Sequence, residues 1–330
     1  MGLRYALLAA SHPSLALEEL RAIVEAEDIE YRELAVLDSL VIFESTGRAE
    51  EIVRRGSLVR EVGELISISD SGMSPEWAAE VGAALDGREV RVEVTRVRGV
   101  GSVSEQEAVK LLCSRVSCRL KGEPLHLIAV EGALIAGLVT ARASRKEMEL
   151  RRPRRRPFFK PGTLDPQVSR LFVNLSRTKR GSLFLDPFCG AGGFVIEACS
   201  LGARTICGDL DWRSSLGARE NLDYFKCWDS LTIISDATSL PLLDGSVEAV
   251  ATDPPYGRSS STMKRKYEEL VSSFLQEVAS VAKRGSYVTF AGPYEARPWE
   301  IAIRRGLEVR GRFHMFVHGA LVREIVVARV

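Results

Sequence analysis

The sequence predicts an α/β protein in two parts. A smaller α/β region comes first, followed by a doubly wound, mainly parallel seven-stranded sheet closed by an antiparallel edge hairpin. Three observations predict this. Strand and helix patterns alternate through residues 182–304, as crossover helices on a parallel sheet require. The last two apolar runs, 307–316 and 321–328, have only a short turn at His318-Gly319-Ala320 between them, so they pair antiparallel at one edge. An arginine- and proline-rich block at 144–166 separates the halves, and 330 residues suit two or three domains.

The elements follow in order. Residues 5–10 form a strand, and Ser14 caps a helix to about residue 26 that buries Leu15, Leu20, Ile23 and Val24. A partly β-branched run at 34–43, a short helix at 48–55 and a strand at 58–68 complete a small unit. Pro75-Glu76-Trp77 opens the next helix. Residues 88–97 alternate charged and apolar side chains, the pattern of a half-buried strand. Ser104 with Glu107 makes a capping box, and 125–130 and 133–140 form a hairpin around Glu131-Gly132. Two prolines and a like-charge block forbid a stable helix across 144–160, which is expected to be a basic linker. Strands then fall at 182–185, 204–208, 231–234, 247–252 and 286–291. Helices follow at 193–201, 213–224, briefly after Ala237, at 267–282 and at 299–304.

The formal net charge of +1 hides an uneven distribution. Residues 1–141 are acidic, net −8, while 142–160 carry net +7. Arg154, Arg155 and Arg156 in that segment are expected to lie as a strap on polyphosphate, joined by Arg258 and Lys264. No apolar run is long enough to span a membrane, which predicts no membrane partner. The six cysteines form no CxxC and no metal-ligand spacing, so no metal and a reduced, cytoplasmic protein are expected.

The chemistry concentrates at strand ends. The first strand of the second half runs into Asp186-Pro187-Phe188-Cys189-Gly190-Ala191-Gly192-Gly193, a Gly-rich turn that lets a ligand approach the backbone. The next ends in Gly208-Asp209-Leu210-Asp211, where a carboxylate can accept ribose hydroxyls, and the third in Ser235-Asp236-Ala237-Thr238. Asp186, Asp209 and Asp236 thus share one crevice, with Phe188, Gly190, Gly192, Leu210 and Ala237 beside them. An acidic rim repels pyrophosphate and suits a cationic sulfonium nucleoside, so the site resembles the S-adenosylmethionine site of class I methyltransferases. Each aspartate taken alone also reads as a helix cap.

The fourth strand ends in Asp253-Pro254-Pro255-Tyr256-Gly257. Two prolines stiffen the backbone and remove two N–H donors, leaving the Asp253 carboxylate and the Pro254 carbonyl as acceptors. Such a pair can orient an aromatic exocyclic amine and stabilise the charge that develops as a methyl group arrives. Tyr256 offers the base a flat face.

With these residues in view, the second half resembles the amino-directed methyltransferases with a (D/N)PPY motif. Arg156-Pro157-Phe158-Phe159-Lys160-Pro161-Gly162-Thr163-Leu164-Asp165-Pro166, with Arg170 and Asn174-Leu175, narrows the resemblance to archaeal tRNA (guanine-10-N2)-dimethyltransferases. Gly217-Ala218-Arg219-Glu220-Asn221-Leu222 agrees. The resemblance implies a ferredoxin-like domain over 1–60, a THUMP RNA-binding domain over 61–143 and a class I methyltransferase domain over 161–330. It implies S-adenosylmethionine as cofactor, with Thr163 as a hydroxyl partner for its methionine end, and tRNA as partner. Asp253, Pro254 and Tyr256 then attend the N2 amine of guanine 10. Ala191 stands where related loops often carry Thr, and residues 318–323 keep only part of a His-x-Ser-Leu-Thr-Arg pattern. Alternative readings are another tRNA guanine such as position 6, adenine N6, or an inactive RNA-binding scaffold.

Overall fold

Buried backbone N–H and C=O groups must pair, which draws apolar strands into sheets. In the computed structural model of this chain two sheets form, one in each of two units, Met1–Ser144 and Arg145–Val330. The structure describes residues 2–70, 72–97, 104–130, 132–256, 267–318 and 321–330.

The first unit contains β1 (Gly2–Leu8), α1 (Pro13–Ala26), β2 (Tyr31–Leu37), β3 (Leu40–Ser45), α2 (Ala49–Arg55) and β4 (Val59–Ser69). It continues through α3 (Pro75–Leu85), β5 (Glu89–Arg96), α4 (Glu105–Leu112), β6 (Ser117–Cys118), β7 (Glu123–Val130) and β8 (Ala133–Arg142). The sheet order is β2-β3-β1-β4-β8-β7-β5-β6. β4 pairs with β1 on one side and β8 on the other, so the boundary expected at 60/61 falls inside a central strand. The single run expected at 34–43 is a hairpin, because Asp38 adopts φ 55° and reverses the chain there. α1 starts one residue earlier than Ser14, with Pro13 at a position its fixed φ favours. Ser104 and Glu107 do form the capping box.

The second unit begins inside the expected linker. It comprises α5 (Lys146–Leu150), a one-turn 3-10 helix (Pro153–Arg155), α6 (Pro166–Leu175), β9 (Leu183–Asp186), α7 (Gly193–Ser200), β10 (Arg204–Asp209) and α8 (Trp212–Tyr224). β11 (Ser230–Ile234), β12 (Val247–Thr252), α9 (Tyr267–Val281), β13 (Ala282–Pro293), α10 (Pro298–Arg304), β14 (Glu308–His318) and β15 (Leu321–Arg329) complete it. The order is β11-β10-β9-β12-β13-β15-β14. Neighbours from β11 to β13 are parallel, and β15 and β14 run antiparallel at the edge. The sequence expectation of a doubly wound sheet with an edge hairpin therefore holds. The order reverses between β9 and β12, which opens a crevice at their carboxyl ends. Val250, Phe274, Val288, Phe290 and Val326 form the core beneath it.

Three expectations are corrected and one helix is added. The helix expected after Ala237 is a turn closed by an Asp236–Ser239 bridge. The added helix, α6, starts on a local signal: Asp165 accepts from Gln167 N at 2.9 Å and Pro166 takes the first helical position. The arginine block is not a solvated strap throughout. Glu197 on α7 is fully buried, and its carboxylate draws in Arg151 (Nε–Oε1 2.7 Å) and Arg170 (Nε–Oε2 3.0 Å). Arg156 is also buried, at 5% exposure, so it does not project toward phosphate. Finally, the six cysteines are paired as Cys113–Cys118, Cys189–Cys207 and Cys199–Cys227. Their sequence separations of 5, 18 and 28 show no spacing signal, and only the fold brings their Cα atoms within 5.3–5.8 Å. Among the described residues, no helix is long and apolar enough to cross a membrane.

Candidate active site

The crevice holds a cavity of about 900 Å³. One wall is the glycine loop after β9. Gly190 and Gly192 have φ of 56° and 82°, a region that favours glycine. A side chain at Gly190 would meet nothing closer than 4.0 Å, so the loop leaves open space for a ligand against its backbone. Asp209 fastens the loop: Oδ2 accepts from Gly190 N at 2.8 Å and Oδ1 from Asp211 N at 2.9 Å. Asp236 accepts from Thr238 N and Oγ1 at 2.9 and 2.7 Å. Both aspartates thus shape their own turns, as a capping role predicts, while also facing the cavity.

Asp186 lies under the floor, fully buried, rather than on the wall. Its Oδ1 accepts from Thr252 Oγ1 at 2.7 Å and Phe188 N at 3.2 Å, while Oδ2 has no partner. Burial pushes its carboxyl up to about 8, against those two hydrogen bonds and with further upward pressure from Asp209 and Asp253. The folded chain therefore keeps a proton there that the unfolded chain releases near pH 4. Stability from this group is full below about pH 4 and is lost as pH rises toward about 8. Asp186→Asn, an isostere of the neutral acid, should flatten this part of the stability–pH profile in urea titrations. An unchanged slope between pH 4 and 8 would show that Asp186 is ionised.

A second wall comes from residues 160–164, the end of the 157–164 segment. Asn221 on α8 is fully buried and grips this segment at Phe158: Phe158 N donates to its Oδ1 at 2.9 Å, and its Nδ2 donates to Phe158 O at 3.0 Å. The same Nδ2 donates to Ala191 O in the glycine loop at 2.9 Å. One amide therefore joins α8, the segment and the loop. The Phe158 ring lies on Gly217, where a Cβ would come within 2.2 Å, so only glycine fits. The Thr163 hydroxyl donates to Lys160 O at 2.6 Å, leaving its lone pairs for a ligand.

The third wall is the Asp253 loop after β12. Asp253, Pro254 and Tyr256 line the same cavity as Thr163, Phe188, Gly190, Asp209, Leu210, Asp236 and Ala237. Arg323 on β15, the retained last residue of the 318–323 pattern to which the sequence assigns no role, also belongs to this wall. Its Nη2 lies 3.2 Å from Asp253 Oδ2 and its Nε 3.0 Å from the Tyr256 hydroxyl. The Tyr256 hydroxyl donates in turn to Asp253 Oδ1. Burial pushes the Asp253 carboxyl above the usual range, opposed by Arg323 and the Tyr256 hydrogen bond. The signal for it is the arginine that ends the partly kept 318–323 pattern and stands inside the apolar run 321–328. Tyr256 also packs edge-on to Tyr267, ring centroids 6.0 Å apart.

Of the other predicted residues, Gly192 turns the loop into α7, and Arg154 and Arg155 are exposed on the 3-10 turn. Arg258 and Lys264 lie outside the described residues. The open glycine loop and the acidic edges of the cavity fit a cationic nucleoside.

Comparison with known proteins agrees with this chemistry. The family described as UPF0020, the RMKL-like methyltransferase domain, matches residues 153–325. A tRNA (guanine(10)-N2)-dimethyltransferase of Methanothermobacter thermautotrophicus is 32% identical over 98% of this chain and 98% of its own length. One from Pyrococcus abyssi is 29% identical over 94% of each chain. TrmN from Thermus thermophilus shares the fold, with a TM-score of 0.55 at 19% identity and 99% coverage of both chains.

Proposed function

The chain belongs to the UPF0020 methyltransferase-domain family, and on that footing we propose that it methylates the exocyclic N2 amine of guanine 10 in tRNA, once and then a second time. S-adenosylmethionine, held by the glycine loop, Asp209 and Asp236, would supply the methyl group to the amine lone pair, with its sulfur as the leaving group. The observation that carries the reading is the position of Asp253 on the cavity that the glycine loop, Asp209 and Asp236 also line.

The chain's own residues do the rest. The guanine amine is a weak nucleophile because its lone pair is delocalised into the ring. Asp253 accepts an N–H hydrogen bond, orients the remaining lone pair and stabilises the positive charge that develops on nitrogen. The Pro254 carbonyl is the second acceptor, and Tyr256 stacks on the base. Arg323 and the Tyr256 hydroxyl occupy Asp253 until substrate takes their place. The ammonium product is acidic and loses its proton to Asp253 or water, so no histidine base is required. A paired guanine must leave its stack first, at a cost of a few kcal/mol.

We read residues 2–144 as the RNA-binding part, a ferredoxin-like piece with a THUMP domain; the alignment of a tRNA enzyme over 98% of the chain supports this. A cytoplasmic site of action follows from the substrate. Exposed Arg154 and Arg155 serve as phosphate contacts. Replacing both by alanine should reduce the slope of log affinity for tRNA against log salt by about 2, roughly one per contact. An unchanged slope places the phosphate contacts elsewhere.

The test of the function is transfer of labelled methyl to unmodified tRNA, followed by nucleoside analysis. N2-methylguanosine and N2,N2-dimethylguanosine are expected, and a substrate with position 10 replaced should receive none. Label in N6-methyladenosine or at another guanine overturns the assignment, and no transfer makes the chain a scaffold.

A further inference from the structure

α7 and α8 both start at the catalytic crevice and both end at a second cavity. Gly193 and Arg213, in their first turns, line the first cavity, while Ser200 and Tyr224, in their last turns, line the second. The stretch from Arg213 to Tyr224 holds the two apart by roughly 17 Å, at about 1.5 Å per helical residue.

The second cavity has a volume of about 550 Å³, within the range of small-ligand sites. Leu150 on α5, Ile196 on α7 and Phe225 after α8 make its surface apolar, and the Tyr224 ring stands edge-on to Phe225 with centroids 5.0 Å apart. Tyr224 and Leu150 are each 60% exposed, so neither is packed away in the core. Cys199 and Cys227 also line the cavity and are joined by a disulfide, which ties the end of α7 to the turn after α8 and leaves the hollow preformed.

Its charges are sorted. Arg151 reaches the cavity but is engaged by the buried Glu197 at 2.7 Å, and Glu147 at the rim lies 4.0 Å from Arg151. Arg155 on the 3-10 turn lines the cavity, is exposed, and has no ion-pair partner among the described residues. α7 and α8 bring the negative ends of their dipoles here, so an anion settles on the Arg155 side and a neutral flat group on the Tyr224 side. An open aromatic seat beside one free guanidinium fits a nucleotide: the base stacks on the ring and the phosphate pairs with the arginine.

We propose that this cavity takes one unpaired nucleotide of the tRNA, with its base on Tyr224 and its phosphate on Arg155. This rests on the tRNA reading above and deepens it. The chain then grips its substrate at two nucleotides, the target guanine in the crevice and an anchor at the far end of α8. An unpaired base needs no extrusion to reach Tyr224, so its stacking can offset the cost of exposing the guanine.

Binding of unmodified tRNA to the full chain, with S-adenosylhomocysteine present, tests this. Tyr224→Ala should weaken affinity about tenfold, as loss of one stacked base predicts, and should leave the slope of log affinity against log salt unchanged, because stacking releases no counterion. Tyr224→Trp keeps a flat face and should bind as the wild-type chain does. Arg155→Ala should reduce the slope by about one. A set of tRNAs, each lacking one unpaired base but keeping its phosphate, locates the anchor. One member should lose about tenfold with the wild-type chain and nothing further with Tyr224→Ala, the non-additivity of groups in contact. If Tyr224→Ala does not fold, Leu150→Glu, which sets a carboxylate in the seat from an exposed position, should weaken binding and decide the matter. Wild-type affinity in these variants, or losses that add for every member of the set, overturn the nucleotide site while the methyltransferase reading stands. A wild-type chain that neither binds nor methylates tRNA removes that reading and this proposal together.

Discussion

Asp253→Ala should lower kcat for tRNA methylation by roughly 10³-fold and leave S-adenosylhomocysteine affinity within about threefold. The magnitude is that of removing one preorganised group from a charge-developing transition state. The selectivity follows from position: Asp253 sits on the β12 loop, whereas the glycine loop is held by Asp209 and Asn221. Asp253→Asn should retain little activity, because an amide accepts one hydrogen bond but cannot offset positive charge. Arg323→Met should act in the same direction more weakly, since it removes the partner that fixes Asp253 Oδ2. The acid limb of the rate profile should lie above the pKa of a free aspartate, because burial raises the Asp253 carboxyl and activity needs its ionised form. Single-turnover rates with labelled donor, beside calorimetry, separate the effects. Loss of cofactor binding in Asp253→Ala would make the residue a structural support and end the catalytic assignment.

Asn221→Ala should be the most damaging change outside the reacting groups. It removes three hydrogen bonds at once and leaves Phe158 N, Phe158 O and Ala191 O without their partner. At roughly 1 kcal/mol for each, with more where a buried group stays unsatisfied, the loss is about 3–4 kcal/mol. For a unit of this size that is a fall in Tm of roughly 10 °C. The 157–164 segment and the glycine loop should separate, so S-adenosylhomocysteine affinity should drop at least about tenfold even at temperatures where the variant is folded. Asn221→Asp tests the geometry: it keeps the acceptor for Phe158 N and loses both donated bonds. Thermal melts and titrations that match the wild-type chain would show that Asn221 is an ordinary helix residue and that the two walls stand independently.

The disulfides bear on such measurements. Cys189–Cys207 ties the glycine loop to β10, and Cys199–Cys227 ties α7 to the segment after α8. Closing loops of this length stabilises a folded chain by about 3 kcal/mol in the chain-entropy account. Reduced and oxidised samples should therefore be compared separately.

Much of this protein is written locally. The strand–helix rhythm after residue 182 identifies the sheet, because each strand must be apolar and each crossover helix must cover it. Asp253-Pro254-Pro255-Tyr256 and the glycine loop are contiguous, so their chemistry is legible from spacing alone. The edge hairpin follows from a turn too short for a helix. The misses have local causes too. Asp38 carries no strong turn signal, and the helix start at Asp165-Pro166 adjoins the arginine- and proline-rich block, whose composition reads as linker.

What the linear order determined was therefore the class of sheet, the crevice at its carboxyl edge and the residues whose chemistry lies in neighbouring positions. Tertiary structure alone decided which distant groups meet. It set Arg323 on Asp253 across 70 positions, joined Asn221 to Phe158 across 63, and paired Cys199 with Cys227 across 28. It also divided one run of arginines, leaving Arg154 and Arg155 in water and taking Arg156 inside. Burial is the physical reason. Water screens a charge on the surface, so composition describes it well enough. Inside the protein its worth depends on which partner the packed chain places beside it, and no pattern along the sequence records that.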